Sequence, residues 1–120
     1  MTRYIDGFVI PVPTARVEDY RLMAEKAALV FKEHGALDYW ECVGDDMNVE
    51  GVLSFTELAD TKPDETVIFA WVVYASKEAR DAANAKIFAD PRMNDMMDMA
   101  NPIFDCKRMA CGGFKQLVHA

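Results

Sequence analysis

A chain of 120 residues, 52% of them apolar, has enough material for one domain spanning residues 1–120 with a real core, and is too apolar to stay disordered. Its net charge of −7, with thirteen scattered Lys and Arg, repels phosphate backbones and disfavours nucleic-acid binding. Cys42, Cys106 and Cys111 are an odd number without metal-like spacing and read as free thiols of a reducing cytosol. The chain runs at once into a strand pattern containing Asp6, so no signal peptide is expected. No apolar run is long enough for a membrane span.

Arg3 to Val12 reads as a first strand. Tyr4, Asp6, Phe8 and Ile10 share one face, and Ile5, Gly7 and Val9 the other. Pro11 and Pro13 end it. Thr14 is placed as an N-cap, and Val17, Tyr20, Ala24, Ala27, Phe31 and His34 recur at helical spacing. The helix is expected over about 15–34, widened into a deeply buried face by Leu22, Met23, Leu29 and Val30, with Gly35 as its stop. Leu37 to Val43 is a second strand of mixed character, suited to a sheet edge, with Tyr39, Glu41 and Val43 opposite Asp38, Trp40 and Cys42. Residues 44–66 form an irregular insertion. Within it, Ser54 and Glu57 fit a capping box for one or two helical turns ending before Pro63.

Val67 to Ala75 is an uninterrupted apolar run of nine residues, a central strand that asks to be covered on both faces. Ser76 caps a second helix over Lys77 to Ala89, with Ala79, Ala82, Ala83, Ile87 and Phe88 as its buried stripe, and Asp90-Pro91 ends it. Met93, Met96, Met97 and Met99 are spaced for a short helix, stopped by Pro102. Arg108 to Val118 is the last strand, where Gly112-Gly113 suggests a bulge or a close approach to bare backbone. The order strand, helix, strand, strand, helix, strand predicts an α+β, ferredoxin-like βαββαβ unit with an antiparallel sheet. Its two helices cover one sheet face. The other is apolar and predicts a homodimer by face-to-face stacking, a dimeric α/β barrel.

Several stretches carry a family resemblance: Tyr4-Ile5-Asp6-Gly7-Phe8-Val9, Phe69-Ala70-Trp71-Val72, Arg80 to Lys86 leading to Asp90-Pro91-Arg92-Met93, Phe104-Asp105, Lys107-Arg108-Met109 and Gly112-Gly113-Phe114. Over almost its whole length the chain resembles the YbaA-like family of small bacterial proteins, a domain of unknown function. Cys106 departs from it, standing where a glycine is expected. The resemblance implies a dimeric α/β-barrel fold and no established activity. That fold is shared by small monooxygenases acting on polycyclic quinol-like substrates, by muconolactone-type isomerases and by haem-binding enzymes, an analogy of fold and not of function.

The residues with chemical potential each carry two readings. His34 is a candidate general base, or a helix-end histidine answering the last carbonyls. Asp6 and Arg108, on strands expected to be neighbours, either bind a polar or anionic group together or form a structural ion pair. Trp40, Trp71 and Tyr74 either line a pocket for a flat aromatic ligand or fill core. The methionines suit an adaptable lid or plain packing. Arg92, near Asp90, Asn84 and Asp81, either holds a ligand carboxylate or fixes the helix–turn junction. Asp45, Asp46, Asn48 and Glu50 lack the spacing of a calcium loop, so no metal and no cofactor are expected. The expected function is binding of a small apolar or aromatic molecule by a cytoplasmic homodimer, with cofactor-free monooxygenase or isomerase chemistry as its enzymatic form. A non-catalytic ligand-binding or assembly module is the alternative, and an RNA-associated protein ranks third.

Overall fold

Hydrophobic alternation and helical periodicity partition the chain into one sheet and the helices on it. The computed structural model describes residues 2–95 and 101–120. Strands β1 (Tyr4–Pro13), β2 (Asp38–Val43), β3 (Glu65–Tyr74) and β4 (Ala110–Lys115) form a single sheet in the order β2-β3-β1-β4, every pair antiparallel. Helices α1 (Val17–Glu33) and α3 (Lys77–Ala89) pack on one face, with a single turn α2 (Phe55–Leu58) before β3 and a short α4 (Pro91–Asp95) after α3. This is the ferredoxin-like α+β fold, with β2 and β4 as the edges.

The element ends follow local chemistry. α1 is entered through a 3-10 turn, Thr14–Arg16, without a side-chain cap; Thr14 instead donates its backbone N–H to the Asp64 carbonyl at 2.9 Å. Proline at position 13 cannot continue the strand ladder, and the tight turn takes the place of the expected Thr14 cap. At the other end Gly35 adopts φ +118°, and the N–H groups of Gly35 and Ala36 donate back to Lys32 and Phe31, satisfying the last carbonyls. α2 closes in the same manner on Asp60 at φ 52°, before Pro63 is reached. Ser76 caps α3 by accepting from the Ala79 N–H at 3.0 Å.

The core lies between the helices and the inner sheet face. Ile10, Val12, Tyr20, Ala24, Ile68 and Ala70 form one cluster, and Val30, Ala36, Val72, Tyr74, Ala83 and Ile87 a second, with Phe8 against both. The helices are less deeply buried than their apolar content predicts. Leu22 and Leu29 on α1 are exposed, and Phe88 on α3 is 75% exposed, because only a narrow strip of each helix can face a four-stranded sheet.

The opposite sheet face is uncovered over its aromatic centre, while Pro11 and Val67 at the end next to the insertion are buried. Register places Trp40 beside Trp71 and Cys42 beside Phe69, with Gly7 and Val9 of β1 across from Trp71 and Phe69. The Trp40 and Trp71 rings stack at 5.6 Å and 11°, and Phe69 packs on Trp71 at 5.4 Å and on Phe55 of α2 at 5.8 Å. Trp40 is 51% exposed and Phe69 44%.

β4 is shorter than expected, and its paired glycines make no bulge: Gly112 and Gly113 sit in continuous register with Gly7 and Asp6. Their role is close approach. A Cβ on Gly113 would lie 2.6 Å from Tyr4 Cε2, so the absence of a side chain lets the Tyr4 ring lie across β4.

An ion pair ties the start of β3 to the turn before β4. Arg108 donates to both Glu65 carboxylate oxygens, at 2.7 and 2.8 Å, and to the Asp60 carbonyl at 2.8 Å. The Arg108 guanidinium holds the Glu65 carboxyl at about 2, below its ordinary 4.5. A carboxyl lowered on folding stabilises the protein above its unfolded pKa, and that contribution is lost as pH falls toward the folded value. Acid unfolding monitored by circular dichroism should therefore be steeper between pH 4.5 and 2 in the wild type than in Glu65→Gln.

Candidate ligand pocket between the first helix and the edge strand

Where α1 crosses β2, the small side chains of Ala24 and Ala28 leave a cavity of 340 Å³. Val17, Val43 and Ile68 supply apolar wall, and the Arg21 and Glu25 side chains lie on the α1 rim. Strand alternation turns Tyr39, Glu41 and Val43 inward, and the buried stripe of α1 brings Tyr20 over them.

Three polar groups meet in this apolar setting. Tyr20 donates its hydroxyl to Glu41 Oε1 and Tyr39 donates to Oε2, each at 2.8 Å. Tyr20 is braced edge-on by Phe104 at 5.8 Å, and Tyr39 by Phe31 at 5.3 Å. Burial raises the Glu41 carboxyl above its ordinary range against the opposing pull of both tyrosine hydrogen bonds. Both phenols are pushed up as well, by burial first and then by the Glu41 charge. The result is an acid that holds its proton more tightly than a surface glutamate, with a lone pair on each oxygen left for a ligand.

The residues singled out in the sequence fall elsewhere and do not converge. Asp6 and Arg108 do not meet. Register sets Asp6 opposite Gly113 and Val9 opposite Ala110, so Arg108, preceding β4, lies toward the far end of β1. Asp6, 7% exposed, pairs with Arg80 of α3 at 2.5 Å, while Arg108 pairs with Glu65. Arg80 also donates to Asp81 at 2.8 Å and lies 4.7 Å over the Tyr4 ring.

His34 lies at the end of α1, its Nε2 2.9 Å from Asp90 Oδ2. Arg92 donates to Asp90 at 2.8 and 3.1 Å and to Glu33 at 2.6 Å, so its guanidinium clamps carboxylates of its own chain and pins the α3–α4 turn to α1. Arg92 first, and His34 second, hold the Asp90 carboxyl well below its ordinary range. Asn84 is half-buried on α3. Trp40 and Trp71 share the uncovered sheet face, whereas Tyr74 is on the helix side, 0% exposed, so the three cannot line one pocket. The Tyr74 hydroxyl finds no hydrogen-bond partner among the described residues, and burial pushes it up to about 12. Met93 packs against the second core cluster, and Met96, Met97 and Met99 lie outside the described residues.

Tyr20, Tyr39 and Glu41 are what sequence reasoning passed over. The signal was there in alternation: a glutamate two residues after an inward tyrosine must itself point inward. Among the described residues, no group of His, Cys, Asp and Glu side chains is arranged to hold a metal ion. None of the described helices is long and apolar enough to cross a membrane.

Comparison with known proteins agrees with this architecture. A nipsnap family protein with unknown function from Agrobacterium tumefaciens superposes with a TM-score of 0.59 at 13% identity, covering 95% of this chain and 87% of that one. A dimeric ferredoxin-like protein from an uncultured marine organism superposes with a TM-score of 0.57 at 12% identity, covering 98% and 96%. At these identities the likeness is one of fold. In sequence, the uncharacterized protein YbaA of Escherichia coli K12 is 44% identical over 116 residues, 97% of each chain. The family described as protein of unknown function DUF1428 matches residues 3–106, and the chain belongs to that family.

Proposed function

We propose that the protein is a cytoplasmic, single-domain homodimer that binds a small molecule in the α1–β2 pocket of each subunit. The observation that carries this reading is Glu41, a half-buried acid held by two tyrosine hydroxyls at the wall of an apolar cavity. Apolar walls with one concentrated polar point are the usual form of a small-molecule site. The dimer rests on the uncovered aromatic face and on its kinship in fold with a protein described as dimeric and ferredoxin-like. Stacking through that face leaves the pocket, on the other side of the sheet, open.

A second reading makes the site catalytic, as a cofactor-free isomerase or oxygenase. It is favoured by the raised Glu41 carboxyl, since burial makes this acid hold its proton more tightly than a surface glutamate, as a general acid must. In that form Glu41 moves the proton and the tyrosines orient it. His34, Asp6, Arg108 and Arg92, each engaged with a neighbouring side chain, serve as supports of the fold around the pocket.

Native mass spectrometry of the purified protein, followed by mild denaturation, tests the binding reading. The expected result is a dimer releasing a reproducible small molecule that is absent from Ala28→Phe, whose ring fills the cavity. A wild-type dimer without such a molecule, or one retained by Ala28→Phe, overturns it.

Glu41→Gln separates stability from function. A carboxyl raised on folding favours the folded state at low pH, and the advantage shrinks as pH rises from the unfolded value through the folded one. The Gln variant should show a Tm that declines less over that rise while losing ligand. A thermal-melt series across pH checks this.

A further inference from the structure

The proposed pocket has a charge preference that identifies its ligand class. Glu41 is hydrogen-bonded by two neutral donors, and no cation answers it at the cavity floor among the described residues. Arg21, the basic residue in the pocket wall, is engaged on the solvent side of α1 by both Glu18 and Glu25. The charged side chains lining the pocket are then one positive, Arg21, against two negative, Glu25 and Glu41, and Arg21 is already shared with Glu18. The remaining groups facing Glu41 are the neutral phenols of Tyr20 and Tyr39, with the apolar Ile68 of β3 in the same wall. An anion entering here meets a carboxylate and no free cation. A neutral ligand leaves this half-buried carboxylate with two hydrogen bonds but no counter-charge. A cation supplies the missing partner, and aromatic rings beside an acid are a favourable setting for ammonium.

We propose that the α1–β2 pocket binds an organic ammonium, a protonated amine carried on a compact apolar body, with the ammonium hydrogen-bonded to Glu41 and the body against Val17, Ala24, Ala28 and Ile68. This rests on the small-molecule reading and narrows it. A charge-assisted hydrogen bond inside an apolar cavity is stronger than its neutral counterpart. The amine should therefore bind at least about tenfold tighter than an alcohol of the same shape.

The test uses benzylamine, benzyl alcohol and benzoate as probes, titrated calorimetrically into the full-length dimer near neutral pH. Benzylamine should bind at least about tenfold more tightly than benzyl alcohol, and benzoate most weakly of the three. In Glu41→Gln the amine's advantage over benzyl alcohol should vanish. If that variant does not fold, the wild type carries the test alone: the amine's advantage over the alcohol should shrink as pH is lowered and Glu41 takes up its proton. Benzyl alcohol binding as tightly as benzylamine, or an advantage that survives Glu41→Gln or acidification, overturns the ammonium assignment and leaves the pocket standing. Failure of all three probes to bind, or binding undiminished in Ala28→Phe, overturns the pocket and the assignment together.

Discussion

Trp71→Glu is expected to turn the dimer into a folded monomer. Trp71 sits at the middle of the uncovered sheet face, stacked on Trp40 and packed by Phe69, and belongs to neither core cluster. Its loss therefore touches the subunit fold little. In a twofold interface each substitution acts twice, once from each copy. A central tryptophan contributes about 2 kcal/mol or more to an interface, and an unpaired carboxylate buried in its place adds a desolvation cost. Two copies then weaken association by about 4 kcal/mol, roughly a thousandfold in Kd. Sedimentation velocity at micromolar concentration should show the wild type as a dimer and Trp71→Glu as a monomer with unchanged far-UV circular dichroism. A wild type that sediments as a monomer overturns the dimer, and a variant that remains dimeric places the interface elsewhere. The exposed Val49, Val52, Leu53 and Leu58 of the insertion before β3 offer further apolar surface for the same partner.

The fold was legible because its evidence is periodic. Helical spacing in α1, capping serines at 54 and 76, and the unbroken apolar run of β3 each report a local preference, and local preferences add up to an order of elements. Even the exposed aromatic patch on the second sheet face followed, since two helices cannot cover two sheet faces. The site was less legible because it depends on register. That Asp6 faces Gly113 while Arg108 lies toward the other end of β1 is set by how β1 and β4 align, which neither strand states alone. Part of the failure was avoidable. Trp71 and Tyr74 are three apart in one strand, so alternation already assigns them to opposite faces. Glu41 was recognised as sharing a face with Tyr39, but the mixed character of an edge strand hid that this face was the inner one. Tyr20 reads as core, which it is. Only the crossing of α1 over β2 shows that its hydroxyl completes a polar cluster.

The second large effect is expected at Arg80. Asp6 lies almost wholly within the protein, and Arg80 is the basic side chain bonded to it. Removing one partner of a buried ion pair leaves the other charged and unanswered, at a cost of about 3–5 kcal/mol. Arg80→Met retains the length and apolar stem of the side chain, so the loss it reports is chiefly that of charge and hydrogen bonds. Chemical denaturation should show this loss, and Asp6→Asn in the same background should recover much of it, because the unanswered carboxylate is then gone. A double variant no more stable than Arg80→Met overturns the pairing as the source of the effect. The same logic extends to Gly113, which touches neither charge. Its missing side chain is what lets Tyr4 lie across β4 beneath the Arg80 guanidinium, and a Cβ there would fall 2.6 and 2.8 Å from ring carbons of Tyr4. Gly113→Ala should therefore displace Tyr4, remove its contact with the cation and loosen Arg80 from Asp6, with part of the Arg80→Met loss in stability. In Tyr4→Ala, which has no ring to displace, the added methyl should cost little, so the two substitutions are expected to be strongly non-additive. Sequence position gives no hint of such coupling. It arises because β1 and β4 are neighbours in register and Arg80 of α3 reaches over Tyr4 to Asp6 of β1, so one bare stretch of backbone at the sheet edge sets the position of a buried charge.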